Sequence, residues 1–122
     1  TIFPWYLCLT LTAKQLIDNG MPSPIDSGIL FDIGDEIEAS VLGGRTENGA
    51  DNALFLARST WNGKRQLLYY VHDPEIAHLA LQALLASRKW EREWDYFMEN
   101  DPGWEKAAYV FQLFPQSNGL HS

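Results

Sequence analysis

His72 and His78 are the nearest histidine pair in the chain, six residues apart, and their closest acids are Asp73 and Glu75. A helical metal pair needs three- or four-residue spacing on one face. Here His72 ends a strand-like run and His78 lies inside the helix that follows, so the two are not expected to converge on a metal. Acid–base or glycosidic chemistry needs two carboxylates in one cleft with divergent pKa values. Acids are plentiful, 16 in all, but they fall on the polar faces of the first helix and the last strand, where acids are ordinarily solvated. There is no G-x-S-x-G elbow, P-loop or G-x-G-x-x-G turn. Gly43-Gly44-Arg45 and Gly49 follow a helix instead of leading a strand into one, so glycine there serves the turn. Cys8 is the single cysteine, within an apolar run and without an activating base beside it, and it reads as a buried structural thiol. The residue types therefore assign no catalytic group, no cofactor and no metal ligand.

Charge narrows the partners. With 16 acids against 9 bases the formal net charge is −7. A nucleic-acid binder needs a basic stripe that displaces counterions from phosphate, and this balance argues against one. Tyr69 and Tyr70, with Arg58, Lys64 and Arg65 nearby, have the composition of an RNA-reading sheet face. No RNP-like Lys/Arg-Gly-Phe-Gly-Phe run accompanies them, so they are read as core or interface. An acidic surface suits a basic protein partner, because charge steers encounter and excludes wrong partners. The plainer reading is that −7 keeps the domain soluble. Thr1 to Leu11 is apolar but short, contains Pro4 and lacks a basic leader, so it is neither a signal peptide nor a membrane span. A chain beginning with Thr is expected to be a fragment or to be trimmed.

The elements that must position these residues follow from periodicity. Length and 46% hydrophobic content give one domain, expected over residues 1–115, with a frayed tail over 116–122. Phe3 to Leu11 reads as a strand. Ser23 caps and Pro24 opens a helix over Ile25 to Leu42. Advancing about 100° per residue groups Ile29, Leu30, Ile33, Ile37 and Val41 on a core face. Asp26, Asp32, Asp35, Glu36 and Glu38 are expected to face water. Phe31 lies off the apolar face among Asp35 and Glu38. Either it packs on a loop or, if exposed, it is an aromatic anchor in an acidic patch, the composition of a contact site for a basic protein. The candidate partner-binding set is Phe31, Asp32, Asp35, Glu36, Glu38 and Tyr69.

Ala53 to Trp61 and Lys64 to His72 are strand-like runs joined by Asn62-Gly63, a type I′ hairpin signal. The expected register sets Trp61 opposite Lys64, Ala57 opposite Leu68 and Phe55 opposite Tyr70. Leu54, Leu56, Leu67, Tyr69 and Val71 then occupy the other face. Both faces are apolar in mid-hairpin, so the second needs a cover: a terminal segment, a second copy or a partner. Asp73, Pro74 and Glu75 start a second helix with Ile76, Leu79, Ala80, Ala83, Leu84 and Ser87 as its buried stripe. Glu91 to Glu99 alternates as a strand with Trp94, Tyr96 and Met98 on one side. Asp101-Pro102-Gly103 caps a short third helix carrying Trp104, Ala107, Ala108, Phe111 and Leu113, stopped by Pro115. The order β-α-β-β-α-β plus a terminal helix predicts an α+β, ferredoxin-like two-layer sandwich, a fold that licenses no particular activity.

Several short motifs in order carry a family resemblance. They are Asn19-Gly20-Met21-Pro22 before a helix with Asp35-Glu36, Ala57-Arg58, Asn62-Gly63-Lys64-Arg65, Tyr69-Tyr70-Val71, Asp101-Pro102-Gly103-Trp104 and Leu113-Phe114-Pro115. From about Pro4 to Pro115 the chain resembles the bacterial family called domain of unknown function 695. In that family a further N-terminal segment usually precedes the strand near Phe3. The family is similar in architecture to the bacterial regulator of ribonuclease E activity B, a small acidic protein that inhibits an RNA-degrading enzyme by binding it. The resemblance implies a fold and a mode of action, and it supplies no catalytic residues. With the lone cysteine it implies a bacterial cytoplasmic location.

Three functions compete. The first is a non-catalytic acidic protein-binding module that regulates or inhibits a partner, such as a nuclease-like basic protein. The second is a homodimeric scaffold that buries the open sheet face. The third is a small-molecule site or unrecognised enzyme between the sheet and the aromatics Trp5, Trp61, Trp94 and Trp104.

Overall fold

Aromatic and branched residues crowd Trp5–Thr12, and in the computed structural model, which describes residues 2–113, they form strand β1. Helix α1 follows over Pro24–Leu42, the hairpin strands β2 and β3 over Ala53–Trp61 and Lys64–Val71, and helix α2 over Pro74–Ala86. Strand β4 spans Trp94–Asn100 and helix α3 spans Glu105–Leu113. The four strands make one antiparallel sheet in the order β2-β3-β1-β4. Pro115 and the expected tail over 116–122 lie outside the described residues. No described helix is long and apolar enough to cross a membrane.

The local signals act as their chemistry requires. Ser23 accepts the Asp26 N–H at 3.2 Å and caps α1, and Asp73 accepts the Glu75 N–H at 2.9 Å and caps α2. Asn62 and Gly63 have φ of 51° and 77°, the paired positive values of a type I′ turn. Helix α1 contains two glycines that cost roughly 1 kcal/mol each. It buries Leu30, Ile33, Ile37 and Val41, each contributing about 1.5–3 kcal/mol, so packing outweighs propensity.

One core lies between the sheet and α1/α2, built on Leu7, Leu9, Leu11, Leu67, Tyr69, Val71, Leu81 and Trp94. A second, smaller core lies on the opposite face and joins Tyr6, Cys8, Leu68 and Tyr70 to Ala107 and Val110 of α3. A terminal segment thus covers part of the second apolar face. Burial raises the Cys8 thiol above its ordinary pKa.

Three expectations need correction. Trp61 does oppose Lys64 and Ala57 does oppose Leu68, but a β-bulge between Phe55 and Ala57 moves Phe55 opposite Tyr69 and Leu54 opposite Tyr70. One extra residue in a strand reverses which face the following side chains take, so Leu54 and Leu56 do not share a face with Tyr69. In α2 the buried residues are Ala77 and Leu81, while Leu79 is exposed. That helix is apolar nearly all round, so periodicity does not select a stripe and contact with its neighbours does.

The third correction is Asp26, which is fully buried and not solvated. Its Oδ2 accepts the Lys14 and Gln15 N–H groups, at 2.5 and 2.7 Å, and its Oδ1 accepts the Arg92 guanidinium. A buried charge persists when it is paired and fully hydrogen-bonded. The Arg92 hydrogen bonds, then those backbone donors, hold its carboxyl down at about 2.

A second polar lock closes the other end. The Tyr70 hydroxyl donates to Asp101 at 2.6 Å and accepts the Ala107 N–H at 3.1 Å. Asp101 also accepts the Glu105 and Lys106 N–H groups, capping α3. Trp104 adopts φ 56°, stacks on Tyr70 with ring centroids 4.4 Å apart, and donates its indole N–H to the Phe3 carbonyl at 2.8 Å.

Candidate functional site

Helix α1 carries the candidate partner-binding residues Phe31, Asp32, Asp35, Glu36 and Glu38, and β3 carries Tyr69. Phe31 is 52% exposed, so it does not pack away on a loop. The Arg65 guanidinium lies 4.3 Å from its ring centroid, a cation–π contact that holds the ring in place and leaves one ring face to solvent. Arg65 itself is buried, reaches Thr60 Oγ1 at 3.1 Å, and has no hydrogen-bond partner for its Nε among the described residues. A Cβ at Gly34 would stand 3.8 Å from that Nε, an ordinary van der Waals contact. Burial, and then the nearby Arg58, lower the Arg65 pKa, while Asp35 and Glu38 act against this.

The acids of α1 are not one uniform patch. Glu36 receives both arms of Arg88 at 2.7 and 2.8 Å, and those bonds lower its pKa. Glu38 accepts Arg58 at 3.0 Å and the Tyr69 hydroxyl at 3.3 Å. With Asp26 bound to Arg92, three of the five acids are consumed by intramolecular arginines. Asp32 and Asp35 are exposed, form no ion pair among the described residues, and stand one and four residues after Phe31. Tyr69 is fully buried, so it serves the face only by supporting Glu38. Burial and then the Glu38 charge push its phenol pKa up.

Sequence reasoning missed Phe55 and Arg58, which extend this face. Phe55 is 41% exposed, meets Tyr69 edge-on at 5.8 Å, and lies under Arg58 at 4.6 Å. Only the bulge turns Phe55 toward α1, and nothing in the local sequence marks that bulge. Two aromatic rings, each backed by a guanidinium, therefore flank Glu38, with Asp35 one turn along α1 from Phe31, whereas Asp32 lies beside Glu36 and Arg88. Aromatic residues and arginine are the types that dominate binding energy at protein interfaces.

Other candidate groups are dispersed. His72 Nδ1 pairs with the Ile2 carbonyl at 2.7 Å, whereas His78 Nδ1 pairs with the Tyr96 hydroxyl at 2.8 Å. Among the described residues, no cluster of three or more His, Cys, Asp or Glu is placed to hold a metal. The four tryptophans of the small-molecule reading are not gathered. Trp94 packs on Trp90 in the first core, Trp104 lies on the second face, Trp5 borders the first core and Trp61 is 76% exposed.

No curated protein and no solved structure matches this chain. A family model does match residues 1–111, and the chain belongs to that family, the family of unknown function DUF695.

Proposed function

We propose that this protein is a non-catalytic protein-binding module that restrains or regulates a basic, nuclease-like protein through the α1 face around Phe31. The observation that carries the reading is a half-exposed Phe31, pinned by buried Arg65, with the exposed carboxylates of Asp35, one turn along the same face, and of Asp32, on the flank toward Arg88. A preorganised aromatic beside unpaired carboxylates suits an incoming lysine or arginine, because ordering costs little and the charge is complementary. The strand order is compatible with this. In the first βαβ unit β3 lies between β1 and β2, which supports a ferredoxin-like split βαβ fold, and such a fold presents sites without dictating chemistry.

The test compares the wild-type domain with F31A/D32K/D35K as baits in a bacterial lysate, eluted by a salt gradient. A stoichiometric basic partner retained by the wild type and lost by the variant, with unchanged circular dichroism, supports the reading. Equal capture by both refutes it. Recovery of the bait alone, as a dimer by light scattering, favours the homodimeric scaffold.

A further inference from the structure

The two edges of the sheet differ in how they are protected. β2 is interrupted by its bulge between Phe55 and Ala57 and carries Arg58, both common devices against unwanted strand pairing. β4 has no bulge, and the charges it carries, Asp95 and Glu99, are both acidic. It pairs with β1 in unbroken register from Trp5↔Asn100 to Leu11↔Trp94, contains no proline, lysine or glycine, and has no strand on its outer edge among the described residues. Its backbone donors and acceptors on that side form a free ladder.

The side chains say what suits that ladder. On the second sheet face β4 presents Asp95, Phe97 and Glu99 in alternation, and all three are exposed, Phe97 at 51%. Phe97 is steadied by Tyr6, 6.1 Å away between ring centroids. Lys106 approaches Glu99 at 3.5 Å, and Asp95 forms no ion pair among the described residues. A second copy is a poor occupant. Antiparallel pairing about Phe97 sets Asp95 against Glu99 twice, in-register parallel pairing aligns each acid with itself, and like charges across a ladder repel.

The geometry points to β4 as a strand-addition site for an extended protein segment with a basic–x–apolar–x–basic pattern. Its apolar residue lies against Phe97 and its lysines or arginines lie beside Asp95 and Glu99. This site is separate from the Phe31 face and stands or falls independently of it.

The probe is the peptide Thr-Lys-Thr-Val-Thr-Lys-Thr, titrated into the full chain by calorimetry beside its counterpart Thr-Glu-Thr-Val-Thr-Glu-Thr. Two cross-strand charge pairs, reversed from attraction to repulsion, make the acidic peptide bind roughly tenfold more weakly. Amide exchange should slow over residues 95–99 on adding the basic peptide. The charge-swapped variant D95K/E99K should invert the preference, and F31A/D32K/D35K should leave it unchanged. Absence of basic-peptide binding, equal affinity for both peptides, or an unaltered preference in D95K/E99K overturns the proposal.

Discussion

Replacing Tyr70 with phenylalanine removes one oxygen from the buried lock that ties α3 to the sheet. The hydroxyl serves two partners, Asp101 at 2.6 Å and the Ala107 N–H at 3.1 Å, and both residues are buried. Asp101 retains the Glu105 and Lys106 N–H groups. Ala107, in the first turn of α3, loses the acceptor that satisfies its N–H. A hydrogen bond to a charged group is worth about 1.5–3 kcal/mol, and an orphaned buried N–H costs about 1–3 kcal/mol. The sum is reduced because the hydroxyl's own desolvation also disappears, so Tyr70→Phe should destabilise the domain by roughly 3 kcal/mol. For a domain of this size that lowers the melting temperature by about 10 °C. Urea unfolding followed by tryptophan fluorescence is the assay, since Trp104 stacks on the mutated ring. A double-mutant cycle with Asp101→Asn isolates the shared bond, with an expected coupling of about 1.5 kcal/mol. A loss under about 1 kcal/mol, or zero coupling, would refute the lock as the anchor of α3. In the wild type, burial raises the Asp101 pKa, but the Tyr70 hydroxyl and two backbone donors outweigh it and set it below the ordinary value. Tyr70→Phe should therefore raise the Asp101 pKa, as read by carboxyl-carbon NMR titration.

The remaining predictions concern the other lock and the glycines. Asp26→Asn should leave the partly buried Arg92 without its counter-charge and lower the melting temperature by roughly 10 °C or more. The folded Asp26 pKa, about 2, lies below its ordinary 3.8, so its contribution is present above about pH 4 and is lost as pH falls toward 2. Acid titration of stability should accordingly be flatter in Asp26→Asn than in wild type over that window; equal slopes would place the acid sensitivity elsewhere. Gly28→Ala should stabilise by about 1 kcal/mol, because nothing lies within 4 Å of the added Cβ in a helix. Gly63→Ala should destabilise by at least about 1 kcal/mol, since φ is +77° and the Cβ would meet Leu16 at 3.0 Å. Both are checked by thermal melts.

What could be read from the chain was whatever is decided within a few residues. Ser23-Pro24 and Asp73-Pro74 start helices because an N-cap oxygen and a fixed proline φ act locally. Asn62-Gly63 turns the hairpin because both residues accept positive φ, and the motifs from Asn19 to Trp104 placed the chain in its family. Phe31 was legible as a candidate for the same reason, since its angular position on α1 follows from the helical period alone. What the tertiary structure decided depends on distant partners. Asp26 and Asp32 look alike as helix acids, yet Asp26 is buried because Arg92 and the Lys14–Gln15 backbone meet it there. Glu36 and Glu38 lose their free charge to Arg88 and Arg58, which are 52 and 20 residues away in sequence. A single bulge brought Phe55 to the α1 side, and a one-residue offset reverses faces because a strand has period two. Packing also settled which stripe of α2 is buried and that α3 closes part of the second sheet face. Those outcomes belong to the sum of long-range contacts, which no local window contains.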